Sequence, residues 1–230
     1  MSILGSDKNT DSVLEAAHGA GHKVQLDSAE VLTKGDTRAA ELYNSLPSLE
    51  AALNSLKRVN FDEFLADVSD LLAPYGDGFG LSLIHRHFDL LTDEMMVENG
   101  DTMKPVFASA QDYVKVCEKR WDREGRAYEY SIEEQNPVPS KLLEDFRRVV
   151  PADASLGLYS RRGDDESVQW VEFTNDDQRC HWLVPRTEEI EGAPQTAWYS
   201  KDGRPLTRGC GSTCVSNGKK GGVIKKNRRC

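Results

Sequence analysis

The chain has 230 residues, of which 38% are hydrophobic and 29% charged, with a net charge of −9. At roughly 100–200 residues per domain this is one ordinary domain with some excess chain. No run approaches the roughly 18 apolar residues of a membrane span, and the composition is not that of a collagen, a coiled coil or a disulfide mini-protein. The opening Met-Ser-Ile-Leu-Gly-Ser-Asp-Lys has no basic start followed by an apolar stretch, so a soluble cytoplasmic protein is expected rather than a secreted one.

Residues 1–44 are rich in Ser, Asp, Lys, Ala and Gly and poor in large apolar side chains, which predicts a disordered segment. His18 and His22 share a helical spacing there, but Gly19 and Gly21 weaken any helix that would pair them. One domain is expected over 45–208. Leu49, Ala52, Leu53 and Leu56 follow the i, i+3, i+4, i+7 pattern of an amphipathic helix. Asn60 and Glu63 stand as a capping box before a second helix through Phe64, Leu65, Val68 and Leu72, stopped by Pro74. After a Gly-rich turn the period changes to 2, and Gly80 to Phe88 reads as a strand. Glu94–Glu98 and Thr102–Phe107 read as a hairpin across Asn99-Gly100-Asp101. Arg126–Ile132 is a strand with Tyr128 and Tyr130 on one face. Ser140 caps a third helix that ends at Pro151. Leu156–Ser160, Val168–Phe173 and Cys180–Val184 follow as strands, and Ala197–Ser200 with Arg204–Thr207 as a last hairpin. The fold class is α+β, a largely antiparallel sheet of about seven to nine strands with a helix pair and one further helix packed on it. No Gly-rich phosphate loop joins a strand to a helix, which argues against nucleotide-binding folds.

From Arg204 to Cys230 there are eight Lys and Arg and no Asp or Glu. Residues 209–230 are expected to form a basic tail rich in Cys and Gly. The acidic remainder repels nucleic acid, so nucleic-acid binding or nuclear entry would run through this tail alone. The five cysteines, Cys117, Cys180, Cys210, Cys214 and Cys230, are an odd number without a secretory context, which argues against a disulfide framework. Cys210, Cys214 and Cys230 could hold zinc with Cys180 or His181, or remain reduced thiols.

The sharpest chemical signal is His85-Arg86-His87. On a strand the two imidazoles share a face, about 7 Å apart at Cα. They could grip a divalent metal with Glu94 or Asp89 as carboxylate ligand and His181 as a third imidazole, transfer protons without a metal, or simply pack. Arg86 points the other way, toward an acid or an anionic ligand.

Gly78, Gly80, His85-x-His87, Glu94 and Gly100 resemble the first metal motif of the cupins, with a longer gap between His87 and Glu94 than that motif carries and no visible second motif. Gly80-Leu-Ser-Leu-Ile-His85-Arg-His87-Phe, Glu94-Met-Met-Val, Gly125-Arg-Ala-Tyr128-Glu-Tyr130, Leu156-Gly-Leu-Tyr159 and Thr196-Ala-Trp198 are similar to segments of a group of small ascomycete proteins, over roughly residues 45–230. That resemblance implies a lineage-restricted role such as specialised metabolism and brings no reaction with it. The leading expectation is a protein that binds a small molecule or acts on it as a metal-assisted enzyme, with His85 and His87 at the site, as catalytic groups or as ligands with Glu94 and His181. The alternative is a non-enzymatic interaction protein using its helix pair or basic tail.

Overall fold

In the computed structural model the described residues are 38–108, 116–161, 170–185, 192–200, 206 and 212–216. The elements run α1 (Arg38–Ser45), α2 (Leu49–Leu56), α3 (Phe61–Leu72), a 3₁₀ turn over Ala73–Gly78, β1 (Phe79–Leu83), β2 (Glu94–Asn99), β3 (Thr102–Phe107), β4 (Cys117–Trp121), β5 (Ala127–Ser131), α4 (Ser140–Val149), β6 (Leu156–Ser160), β7 (Trp170–Asn175), β8 (Cys180–Pro185), β9 (Ala197–Tyr199) and β10 (Ser212–Ser216). All ten strands belong to one sheet in the order β10-β7-β8-β3-β2-β5-β4-β6-β1-β9. Neighbours are antiparallel except β2–β5 and β10–β7. The two edges meet: Gln195 bridges Thr213, Thr196 N donates to Ser212 O at 2.8 Å, and Cys214 N donates to Pro194 O at 3.1 Å. The sheet is thereby nearly closed into a barrel, which leaves little edge open among the described residues.

The fold is α+β as expected, with the strand count raised by β4 and β10. Two segments read as unstructured carry elements. α1 lies inside the Ser/Asp-rich beginning, and β10 lies inside the basic tail. The short apolar patterns of Ala39, Ala40 and Tyr43, and of Thr213 and Cys214, are buried by partners distant in sequence. Local composition does not report such partners. The expected strand leg at 204–207 lies outside the described residues except for Leu206, and His18, His22, Cys210 and Cys230 lie outside them altogether. No helix among the described residues is long and apolar enough to cross a membrane.

The sheet separates two cores. On its outer face Leu81, Leu83, Val97, Trp121, Leu156 and Leu158 pack with Ala52 of α2, Phe64, Leu65, Val68 and Leu72 of α3, and Leu142 and Phe146 of α4. Each such side chain contributes about 1.5–3 kcal/mol on full burial, so the three amphipathic helices form because the barrel gives them an apolar wall. Ser48 caps α2 by accepting from Ala51 N at 3.3 Å. The capping box expected at Asn60 and the cap expected at Ser140 do not form: Asn60 makes no side-chain cap bond, and Pro139 rather than Ser140 precedes the first turn of α4. On the inner face a smaller cluster joins Ala40, Tyr43 and Leu46 of α1 to Ile84, Leu90, Met96, Met103 and Tyr128. α1 therefore plugs one end of the barrel.

The β2–β3 turn is as tight as Asn-Gly predicts. Asn99 faces Thr102, and Gly100 takes a positive φ of 64° that a side chain would resist. The β4–β5 ladder carries two irregularities. Glu118 faces Tyr130, Arg120 faces Glu129, and Trp121 faces Ala127, so Lys119 and Tyr128 are extra residues on their strands. Bulges re-aim side chains. Here the consecutive Lys119 and Arg120 both reach the barrel interior. Tyr128 turns in to Ser82 with 3.2 Å between their hydroxyls, whereas Tyr130 packs in the outer core. The shared face expected for the two tyrosines is thereby broken.

Candidate metal centre

The strand expected over Gly80–Phe88 stops at Leu83. Beyond it Ile84 N bonds Ser155 O, and Arg86 N bonds Pro47 O at 2.9 Å. The Arg86 side chain donates to the carbonyls of Asn44 at 2.7 Å and Leu46 at 2.9 Å, at the C-terminal end of α1, and pairs with Asp89 at 3.1 Å. A cation suits a helix C-terminus. Arg86 thus ties the plug to the barrel while the flanking histidines turn inward. The alternation read from the sequence survives although the regular strand does not. The imidazole centroids of His85 and His87 are 4.7 Å apart, and His181 on β8 brings its ring to 4.2 Å from His87.

The third partner of the His-x-His pair is a thiol. One ligand atom each from His85, His87 and Cys214 lies within 4.8 Å of the other two. Cys214 Sγ is 3.9 Å from His87 Nδ1. Thr174 Oγ1 stands 2.8 Å from His87 Nδ1 and hydrogen-bonds Cys214. His85 Nδ1 lies 2.8 Å from Leu83 O. Backbone carbonyls only accept, so Nδ1 carries the proton and Nε2 the lone pair. The Nε2 atoms of His85 and His87 and both nitrogens of His181 are buried without a hydrogen-bond partner. Buried polar atoms are rarely left so.

The surroundings keep these rings neutral. Burial above all lowers His85 against the pull of Glu172; it lowers His87 well below its ordinary value, helped by His181 and His85; and it lowers His181 to about 3, again against Glu172. Neutral imidazole is the ligating form. Burial and the charge of Glu172 push the Cys214 thiol up, so a metal would have to displace its proton. Around the rings lies a layer of buried charge. Arg120 sits 3.0 Å from Glu129 and also bonds Glu172, while Thr196 Oγ1 donates to Glu172 at 3.1 Å. Burial drives both carboxyls up. The guanidinium outweighs it at Glu172 and holds that group at about 2, whereas Glu129, which also faces the Glu172 charge, rises to about 7.

The residues expected at the site divide. His85 and His87 belong to the cluster, and His181 lies against it but outside the group whose ligand atoms converge. Glu94 is elsewhere: Arg179 grips both its oxygens and Leu91 N donates to Oε2 at 2.6 Å. Burial pushes the carboxyl up, but these partners occupy it and together hold its pKa below the ordinary value. Asp89 is committed to Arg86. Cys214 was expected to sit with Cys210 and Cys230 in the tail; β10 instead pairs with β7 and delivers it to the histidines. Cys180 is disulfide-bonded, not a reduced thiol, while Cys117 and Cys214 are free. Sequence reasoning missed Thr174, Glu172 and Arg120. The one available signal was the alternation Trp170-x-Glu172-x-Thr174, which puts a carboxylate on a strand face that proves to be interior.

The chain matches no family model, no curated protein and no solved structure in the comparisons made.

Proposed function

We propose that this protein is a metal-assisted enzyme of small-molecule metabolism, with one transition-metal ion held inside the barrel by His85, His87 and Cys214. The observation that carries this reading is the convergence of one buried and one half-buried imidazole with a buried thiol, their ligand atoms within 4.8 Å of one another, with the Nε2 lone pair of His85 oriented by Leu83 and left without a partner. A ligating histidine ordinarily gives its other N–H to a carbonyl or carboxylate, as His85 does here. Two imidazoles and a thiolate suit zinc or copper and not magnesium or calcium. Three protein ligands leave a fourth position for water or substrate, where the ion acts as a Lewis acid.

The test is metal analysis of the purified chain with its His85→Ala, His87→Ala and Cys214→Ser variants, followed by cobalt loading. One equivalent of metal is expected, with a thiolate-to-cobalt charge-transfer band that Cys214→Ser abolishes. A chain that takes up neither zinc, copper nor cobalt, or variants that bind as well as the parent, would remove the reading.

A further inference from the structure

The end of the barrel away from α1 holds a cavity of about 270 Å³. Ser212, Trp170 and Leu183 line it, and Cys214, Glu172 and His181 stand two residues further along the same strands. Two residues advance a strand by about 7 Å. The cavity and the histidine cluster are therefore successive storeys of one interior, with Arg120 and its carboxylates between them. At about 30 Å³ per water the cavity has room for about nine waters, the size of a single-ring acid.

Three cationic side chains, Lys119, Arg120 and Arg161, line this space with the aromatic rings of Tyr159, Trp170 and Tyr199. Two of the cations are matched by close carboxylates. Lys119 pairs with Glu98, and Arg120 with Glu129 and Glu172. Arg161 differs. The residue is 7% exposed, yet among the described residues its Nη1 donates to the carbonyls of Ser200 at 2.9 Å and Asp77 at 3.4 Å. Among the described residues its nearest carboxylate oxygen is Asp77 Oδ1, 3.9 Å away and beyond hydrogen-bond distance. Its guanidinium lies 3.9 Å from the centroid of the Tyr199 ring. A buried charge calls for a close counter-charge. Trp170 Nε1 is a second buried donor in the cavity wall with no acceptor.

From this pairing of a buried guanidinium, only loosely paired with Asp77, with aromatic walls we infer that the cavity binds a small planar carboxylate, an aromatic or conjugated monoacid. Its carboxylate lies on the fork of Arg161 and its ring among Trp170, Tyr159 and Tyr199. Arg presents two parallel donors to such a group, and the ring faces supply apolar contact and stacking. This site does not depend on the metal reading, because none of its residues is a ligand of the proposed centre.

The test uses benzoate, benzamide and benzylamine, titrated by calorimetry and tryptophan fluorescence into the full chain. Benzoate is expected to bind saturably, benzamide about tenfold more weakly, and benzylamine not at all. Arg161→Met is expected to weaken benzoate about tenfold, the size of one lost charge-assisted hydrogen bond, with little change for benzamide. Should that variant fail to fold, Leu183→Trp, which fills the cavity from another wall, is expected to abolish benzoate binding. His87→Ala is expected to keep it. The inference is overturned if benzylamine binds as well as benzoate, if no acid binds, if Arg161→Met or Leu183→Trp binds benzoate like the parent, or if His87→Ala alone loses it, which would put the acid on the metal instead.

Discussion

Thr174 Oγ1 lies 2.8 Å from His87 Nδ1 and also bonds the thiol of Cys214. One hydroxyl on β7 therefore orients two of the three converging ligands, which come from the segment after β1 and from β10. Removing it leaves the donor atoms in place but frees their orientation. Thr174→Val is expected to lower zinc affinity about 10–100-fold, the range for lost outer-sphere partners, with little change in fold. Competition against a chromogenic chelator measures this, and circular dichroism checks the fold.

Among the described residues Arg120 bridges the buried carboxyls of Glu129 and Glu172. Arg120→Met leaves two buried acids facing an apolar side chain, and is expected to cost about 3–5 kcal/mol in urea unfolding. Replacing all three together, Arg120→Met with Glu129→Leu and Glu172→Leu, is expected to cost less than the single change, because no uncompensated charge is left behind. A triple variant weaker than Arg120→Met would show that the charges themselves hold the barrel.

The metal-free protein should lose stability on mild acidification. His85, His87 and His181 have folded pKa values below the ordinary histidine value, His181 at about 3. Their contribution is present above an unfolded value of about 6.5 and is lost as pH falls toward the folded values. Glu129 runs the other way: raised to about 7, it favours the fold below an unfolded value of about 4.3 and ceases to as pH rises through 7. Three groups against one give a net fall as pH drops from 6.5, on the order of a few kcal/mol. Denaturation of chelator-treated protein across this range is expected to show a flatter pH dependence for His181→Phe and a steeper one for Glu129→Gln.

Gly157 sets the close approach of β6 to its neighbours. A Cβ there would meet Trp121 O at 2.2 Å and the Ile84 side chain at 3.1 Å. A backbone oxygen cannot step aside without moving β4. Gly157→Ala is expected to destabilise the barrel by about 1–3 kcal/mol. Because Ile84 precedes His85, the same change is expected to weaken metal uptake. Thermal unfolding and the chelator titration read the two effects separately.

The outer helices and the hairpins were legible because each carries its own local pattern. The 3.6-residue spacing of Phe64, Leu65, Val68 and Leu72 and the turn chemistry of Gly100 need no knowledge of distant chain. The inward direction of His85 and His87 was legible for the same reason, since it follows from alternation. The bulges that turn Lys119 and Tyr128 inward depend on how two strands meet and leave no mark in a single sequence.

By itself the sequence determined the α+β class, three of the four α-helices among the described residues and the inward direction of one imidazole pair, all consequences of side-chain periodicity over a few residues. Tertiary structure alone decided that Cys214 rather than Glu94 completes the cluster, that α1 plugs the barrel, and that Arg161 lies buried with no carboxylate of the described residues closer than Asp77 at 3.9 Å. These depend on strand order and barrel closure. Pairings between β7 and β10, or between Arg179 and Glu94, join residues far apart along the chain, and their energy is gained only when the whole sheet closes.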